Sequence, residues 1–120
     1  MVELSEIPDL RLIDFFLLLT SRRSRFKIQG TSMLPSFHDG EEVIAKVKNY
    51  ILEVNDVVVL YHPLRSNLIM LKRIKQITIE EGTKQKKYFV EGDNAEESTD
   101  SRHFDWVNED LIIGKVVCRF

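Results

Sequence analysis

Three observations predict a single mainly β domain. Glu42 to Val47 alternates polar and apolar residues, Val57 to Tyr61 is a nearly continuous β-branched and aromatic run, and no second helical pattern of any length follows the N-terminal segment. The architecture expected is a strongly bent sheet or partly open β-barrel with one N-terminal helix. Residues 1–25 form that helix and a basic connector, and 26–120 form the domain.

In chain order, Pro8 suits the first turn of a helix. Leu10, Leu12, Ile13 and the run Phe15 to Leu19 give it an apolar surface interrupted by Arg11 and Asp14. The run falls short of the ~20 apolar residues that span a bilayer and has no small-residue cleavage site. Arg22, Arg23, Arg25 and Lys27 follow at once. Residues 8–27 therefore fit two roles equally: an interfacial helix whose basic tail sits on anionic lipid, or a helix docked on its own domain or a partner.

Phe26 to Gln29 reads as a short strand, and Gly30 to Pro35 as a turn of small residues with Ser32 in its middle. Glu42 to Val47 is a half-buried strand. Asn55-Asp56 signals a turn, and Val57 to Tyr61 a well-buried strand ended by His62-Pro63. Leu68 to Ile79 reads as one long strand or two joined by a bulge, because apolar residues occupy even positions first and Ile77 and Ile79 later. Glu81-Gly82 turns the chain, Tyr88 to Val90 pairs back, Gly92 to Arg102 is a polar loop, and Leu111 to Phe120, with Gly114 inside, is the last strand.

The 120 residues have room for one core, and 43% hydrophobic with 30% charged residues describes an ordinary soluble globular chain. A net charge of -2 argues against a general nucleic-acid binder, which needs a dominant basic surface. The lone Cys118 cannot form an internal disulfide. Among Val116, Val117 and Phe120 it is expected to be a buried or half-buried thiol rather than a nucleophile, in a reducing, cytoplasmic setting.

The informative residue is Lys72. On a strand, positions 68, 70, 72 and 74 face one way, which puts Lys72 among Leu68, Met70 and Ile74, with Arg73 and Lys75 on the opposite face. Two outcomes are open. A lysine held in a core loses pKa from ~10.4 by as much as 3 to 5 units and becomes a base near neutral pH. A lysine at a strand end instead snorkels its ammonium to water.

Several stretches, taken in order, resemble one family. Gly30-Thr31-Ser32-Met33-Leu34-Pro35-Ser36-Phe37 resembles the nucleophile box of signal peptidase I, and Leu71-Lys72-Arg73-Ile74 its Lys-Arg general-base box. Gly92-Asp93-Asn94 through Ser98-Thr99-Asp100-Ser101-Arg102 resembles its third box, and Leu111 with Gly114-Lys115-Val116 its closing strand. The resemblance implies the bent β domain shared by signal peptidases and LexA-type autoproteases, and no cofactor or metal. It implies that Ser32 is the nucleophile, Lys72 the general base and Ser98 the hydroxyl that orients Lys72, with the Ser32 backbone N–H as oxyanion donor. Gly30, Met33, Pro35, Arg73, Gly92, Asp93, Asn94, Asp100 and Arg102 match supporting positions, the last two as a pair that ties the third box to the lysine strand.

The sequence departs from that pattern in places. Gly30 stands where many relatives carry a hydroxyl that is a second oxyanion donor, and Asn55 and Asp105 stand where the family usually has Gly. His38, His62 and His103 are scattered, and none pairs with Ser32, which disfavours a Ser-His-Asp triad.

Only the 19 residues 73–91 separate Lys72 from Gly92, too few for the large extra domain of many bacterial signal peptidases. The only alanines are Ala45 and Ala95, so no Ala-Gly bond precedes Ser32 for LexA-type self-cleavage. In size, and in Phe89-Val90-Glu91-Gly92-Asp93-Asn94, the chain is similar to the small maturation proteases of nickel-type superoxide dismutase. That similarity implies a serine endopeptidase that removes an extended leader from a precursor protein through an acyl-enzyme. The alternatives are a minimal signal peptidase acting at a membrane surface and a catalytically impaired peptide-binding domain of the same fold.

Overall fold

The computed structural model describes the backbone of residues 3–6 and the backbone and side chains of 22–119. Eight strands make one antiparallel sheet: β1 (Glu3–Glu6), β2 (Arg23–Gln29), β3 (Glu42–Lys46), β4 (Val57–His62), β5 (Arg65–Ile79), β6 (Lys86–Glu91), β7 (Val107–Asn108) and β8 (Ile112–Arg119). Their spatial order is β1-β2-β3-β8-β4-β5-β6-β7. Although β1 ends this order beside β2, it also lies against β5, so the sheet curls. A mainly β chain with a bent sheet is what the alternation patterns predicted.

The core lies on both faces of the sheet because β4 sits between β8 and β5 and its side chains alternate. Val57 and Val59 join Phe26, Ile28, Met33, Phe37, Val43, Ala45 and Leu71 on one face. Val58 and Leu60 join Met70, Ile74, Tyr88, Val90, Val107 and Ile112 on the other. Each fully buried Val, Leu, Ile, Phe or Met among them contributes roughly 1.5–3 kcal/mol of transfer free energy. Val58 pairs with Lys72, which puts the lysine on the second face. The change of apolar phase in β5 is a register shift against β6 between Ile74 and Gln76, at the place the sequence suggested a bulge.

Other expectations need correction. Cys118 is exposed, because β8 runs past the core edge and its last three described residues are all solvent-facing. Leu111 ends a 3-10 turn, Glu109–Leu111, and β8 begins one residue later. The polar loop holds a 3-10 turn, Ala95–Glu97, and a short helix α1, Ser101–Phe104, capped by Asp100 through Arg102 N–H. Arg23 to Arg25 are strand rather than connector, held by pairing with Ile44 to Lys46. The helix expected from Pro8 onward lies outside the described residues.

Candidate active site

Ser32 follows β2 in a turn that other segments hold from two sides. Gly30 has φ 95, a left-handed conformation that costs glycine little, and its N–H donates to Asp39 Oδ1 at 2.8 Å. Asn94 N–H donates to the Ser32 carbonyl at 2.8 Å, and Asn94 Nδ2 donates to the Thr31 carbonyl at 3.0 Å. Met33 is buried in the first core cluster, where its Sδ accepts from Asp93 N–H at 3.5 Å. Pro35 follows a cis peptide bond. The Ser32 side chain is buried, and its backbone N–H donates to no acceptor among the described residues.

Lys72 is 0% exposed, so the inward-facing outcome is the one realised. Its Nζ lies 3.0 Å from Ser32 Oγ and 3.0 Å from Ser98 Oγ. Burial pulls its pKa down to about 8; the Asp100 charge works against this and the Arg102 charge with it. Roughly a fifth of the amine is then neutral near physiological pH, against a negligible fraction for an ordinary lysine.

The third segment fixes the direction of these bonds. Ser98 Oγ donates its one proton to Asp100 Oδ2 at 2.7 Å, so toward Lys72 it can only accept. A neutral Lys72 thus gives one N–H to Ser98 and keeps its lone pair for Ser32. Asp100 is fully buried; burial alone would raise its pKa, but bonds from Arg102, Ser98 and the Gly92 N–H hold it well below the usual carboxylate range. Arg102 Nε and Nη2 both donate to this carboxylate, and Arg102 also faces Glu91 at 3.7 Å. The pair is therefore tied to the end of β6, and among the described residues its hydrogen bonds reach the Lys72 strand through Ser98.

Gly92 leaves no room for a side chain: a Cβ there would stand 2.2 Å from Ser98 Oγ and 2.7 Å from the Ser32 carbonyl oxygen. On the opposite face from Lys72, Arg73 donates from Nε and Nη2 to the two oxygens of Asp93, each at 2.9 Å. Its Nη1 donates to the Asn55 carbonyl at 2.8 Å. Burial opposes ionisation of Asp93, but bonds from Arg73 and the Ser36 hydroxyl keep its pKa below the ordinary value. Arg73 and Asp93 thus brace the Ser32 turn from outside the buried cluster.

Asn55 and Asp105 both have positive φ, 80 and 72. None of the three histidines bonds Ser32: His62 Nδ1 accepts from Leu64 N–H at 3.0 Å, and His103 Nδ1 from Asp100 N–H at 3.3 Å. Among the described residues no cluster of His, Cys, Asp or Glu could hold a metal ion.

Two supporting residues escaped the sequence reading. Asp39 holds the Gly30 N–H, and the buried Ser101 Oγ accepts from Val90 N–H at 2.9 Å, pinning α1 to β6. The only signal for Asp39 was its place before Gly40 in a turn pair; Ser101 had only its place inside the third box, with no role attached.

Buried serine and buried, partly neutral lysine in contact, with a second serine fixing the lysine's donor, can deprotonate a hydroxyl for attack on a carbonyl. Residues 75–120 match the family model described as Signal peptidase, peptidase S26. The matched segment holds Ser98, Asp100 and Arg102 and begins three residues after Lys72. No curated protein matches the chain. The similarity supports a serine peptidase of the signal-peptidase type.

Proposed function

We propose that the protein is a Ser-Lys endopeptidase that removes an extended leader from a precursor protein. The observation that carries this reading is the 3.0 Å separation of Lys72 Nζ from Ser32 Oγ inside a fully buried site. Ser32 Oγ attacks the scissile carbonyl carbon while its proton passes to neutral Lys72 Nζ. The oxyanion takes the Ser32 backbone N–H as donor. When the tetrahedral species collapses, the Lys72 ammonium protonates the leaving amine and an acyl ester remains on Ser32. Water then gives a proton to Lys72 as it attacks the ester, and on collapse the Lys72 ammonium returns that proton to Ser32 Oγ as the acid leaves.

With Gly30 in place of a hydroxyl residue the site has one side-chain oxyanion donor fewer than many relatives, a loss that costs on the order of 10²-fold in rate elsewhere. The substrate binds as an extended strand beside the sheet. Its slot runs between β2, which leads to Ser32, and the first half of β5, which ends at Lys72 and whose edge away from β4 is not claimed by β6. A superoxide dismutase precursor of the nickel type is the substrate favoured by the wording of the third box; its metal would belong to the product.

The test is to incubate the full chain, Ser32→Ala and Lys72→Ala with such a precursor and with a generic signal-peptide substrate, following products by intact mass. Leader release by the wild type alone is expected. Cleavage that persists in Lys72→Ala would end the dyad reading. Cleavage of only the signal-peptide substrate favours a minimal signal peptidase, and cleavage of neither a peptide-binding domain.

A further inference from the structure

The slot that the proposed reaction needs is already filled. β1 pairs antiparallel with β2, Glu3 opposite Gln29, Leu4 opposite Ile28, Ser5 opposite Lys27 and Glu6 opposite Phe26. The same strand also lies against β5. β2 has two edges: β3 takes one and β1 the other. On β5, β4 takes one edge along Arg65 to Arg73, while β6 takes the other only from Arg73 onward. Between a strand that leads to Ser32 and a half-strand that ends at Lys72 there is one place for an extended peptide, and the chain's own residues 3–6 stand in it.

We propose that Glu3–Glu6 is an intramolecular occupant of the peptide slot, so that the resting enzyme is self-inhibited and an extended substrate must displace β1 to reach Ser32. The proposal rests on the Ser-Lys reading above. A segment tethered to the same chain competes at an effective concentration set by its linker, and the apparent affinity for substrate falls in proportion to the fraction of molecules in which the slot is open. The backbone bonds lost when β1 leaves are replaced by equivalent bonds to the substrate strand, so exchange needs no other rearrangement of the sheet.

Deleting β1 risks unfolding the sheet edge, so the test locks it instead. Ser5 and Lys27 are register partners. Directly opposed antiparallel residues have Cα atoms ~4.5–5.5 Å apart, within the ~4.4–6.8 Å that a disulfide spans. The variant is Ser5→Cys with Lys27→Cys in a Cys118→Ser background, assayed oxidised and after reduction. Two probes share one leaving group: p-nitrophenyl acetate, which is too short to occupy the slot, and the p-nitrophenyl ester of acetylated hexa-alanine, which must fill it. Ser32→Ala supplies the background rate.

Oxidation is expected to slow the hexapeptide ester at least about 10-fold while the acetate rate is unchanged, and reduction to restore the first rate. Equal hexapeptide rates in the two redox states overturn self-inhibition while leaving the dyad intact. Equal slowing of both probes also overturns it, since the lock then disturbs Ser32 rather than filling a slot. Acetate turnover no faster than in Ser32→Ala defeats the Ser-Lys reading, and self-inhibition with it.

Discussion

Ser98 donates to Asp100 at 2.7 Å, and this one bond decides what Ser98 can offer Lys72. The hydroxyl has a single hydrogen, and with it spent on the carboxylate only lone pairs remain for the lysine. Asp100→Asn can instead present an N–H to Ser98 and reverse the chain. We expect kcat to fall at least about 10-fold with a smaller change in KM. Because the Asp100 charge raises the Lys72 pKa, the acid limb of the pH–rate profile should move to lower pH. Stability should drop by about 1.5–3 kcal/mol, the usual worth of hydrogen bonds to a charged group. The folded pKa of Asp100 is depressed, so this difference is full above the ordinary carboxylate range and closes as pH falls below ~3.9. Thermal melts of both proteins across that range check it.

Lys72→Met should abolish peptide cleavage yet stabilise the fold at neutral pH, because methionine fills the site without a charge to desolvate. With a folded pKa of about 8 against an unfolded value near ~10.4, the unfolded chain binds more protons between these limits. Wild-type stability gained from this group therefore rises with pH across that window. The advantage of Lys72→Met should shrink by about 3 kcal/mol from pH 8 to pH 10.5, measured as the difference between two denaturant titrations. A constant difference would show that the amine is not perturbed. The same pKa sets kcat/KM rising through about pH 8 in the wild type.

Gly92→Ala tests how tightly the loop is closed on the Ser32 turn. The added methyl meets Ser98 Cβ at 2.6 Å and the Ser32 carbonyl oxygen at 2.7 Å, and the second contact is backbone that cannot rotate away. The expected result is a loss of at least about 2 kcal/mol together with cleavage near background, read from thermal denaturation and product formation. Unchanged activity would mean that the loop and the turn are not held together as described.

Asp105→Gly should do the opposite. Asp105 sits at φ 72 and ψ -168, a region that only glycine adopts freely. Relief of that strain is expected to raise stability by about 1 kcal/mol, reduced by loss of the bond that Asp105 Oδ1 accepts from Trp106 N–H. Activity on a common substrate should stay within about two-fold, because α1 and its Asp100 cap remain.

What could be read in the sequence was what alternation and phase encode. Glu42 to Lys46, Val57 to Leu60, the phase change near Lys75 and the inward face of Lys72 all follow from side chains two residues apart. Asp100 could not be read this way. In a stretch with Asp93, Glu96 and Glu97 it looks like one more solvated acid, and its burial depends on Arg102 and the Gly92 N–H arriving from the fold. Nor could the pairing of Glu3–Glu6, whose four residues carry no alternation, or the strand status of Arg23 to Arg25, whose basic side chains read as a solvated connector. Strand order was silent as well, since no local pattern says that β8 lies between β3 and β4.

That last placement has a consequence for the newborn chain. In the hydrogen-bonded ladder, β8 alone joins the part holding β2 and Ser32 to the part holding β4, β5 and Lys72. Translation delivers residues from the N-terminus at roughly 5–20 per second, so both reacting side chains leave the ribosome well before the strand that brings their halves together. On the Ser-Lys reading, a nascent chain of this topology carries nucleophile and base without a working site, and cleavage starts only when synthesis has passed the point at which β8 can insert.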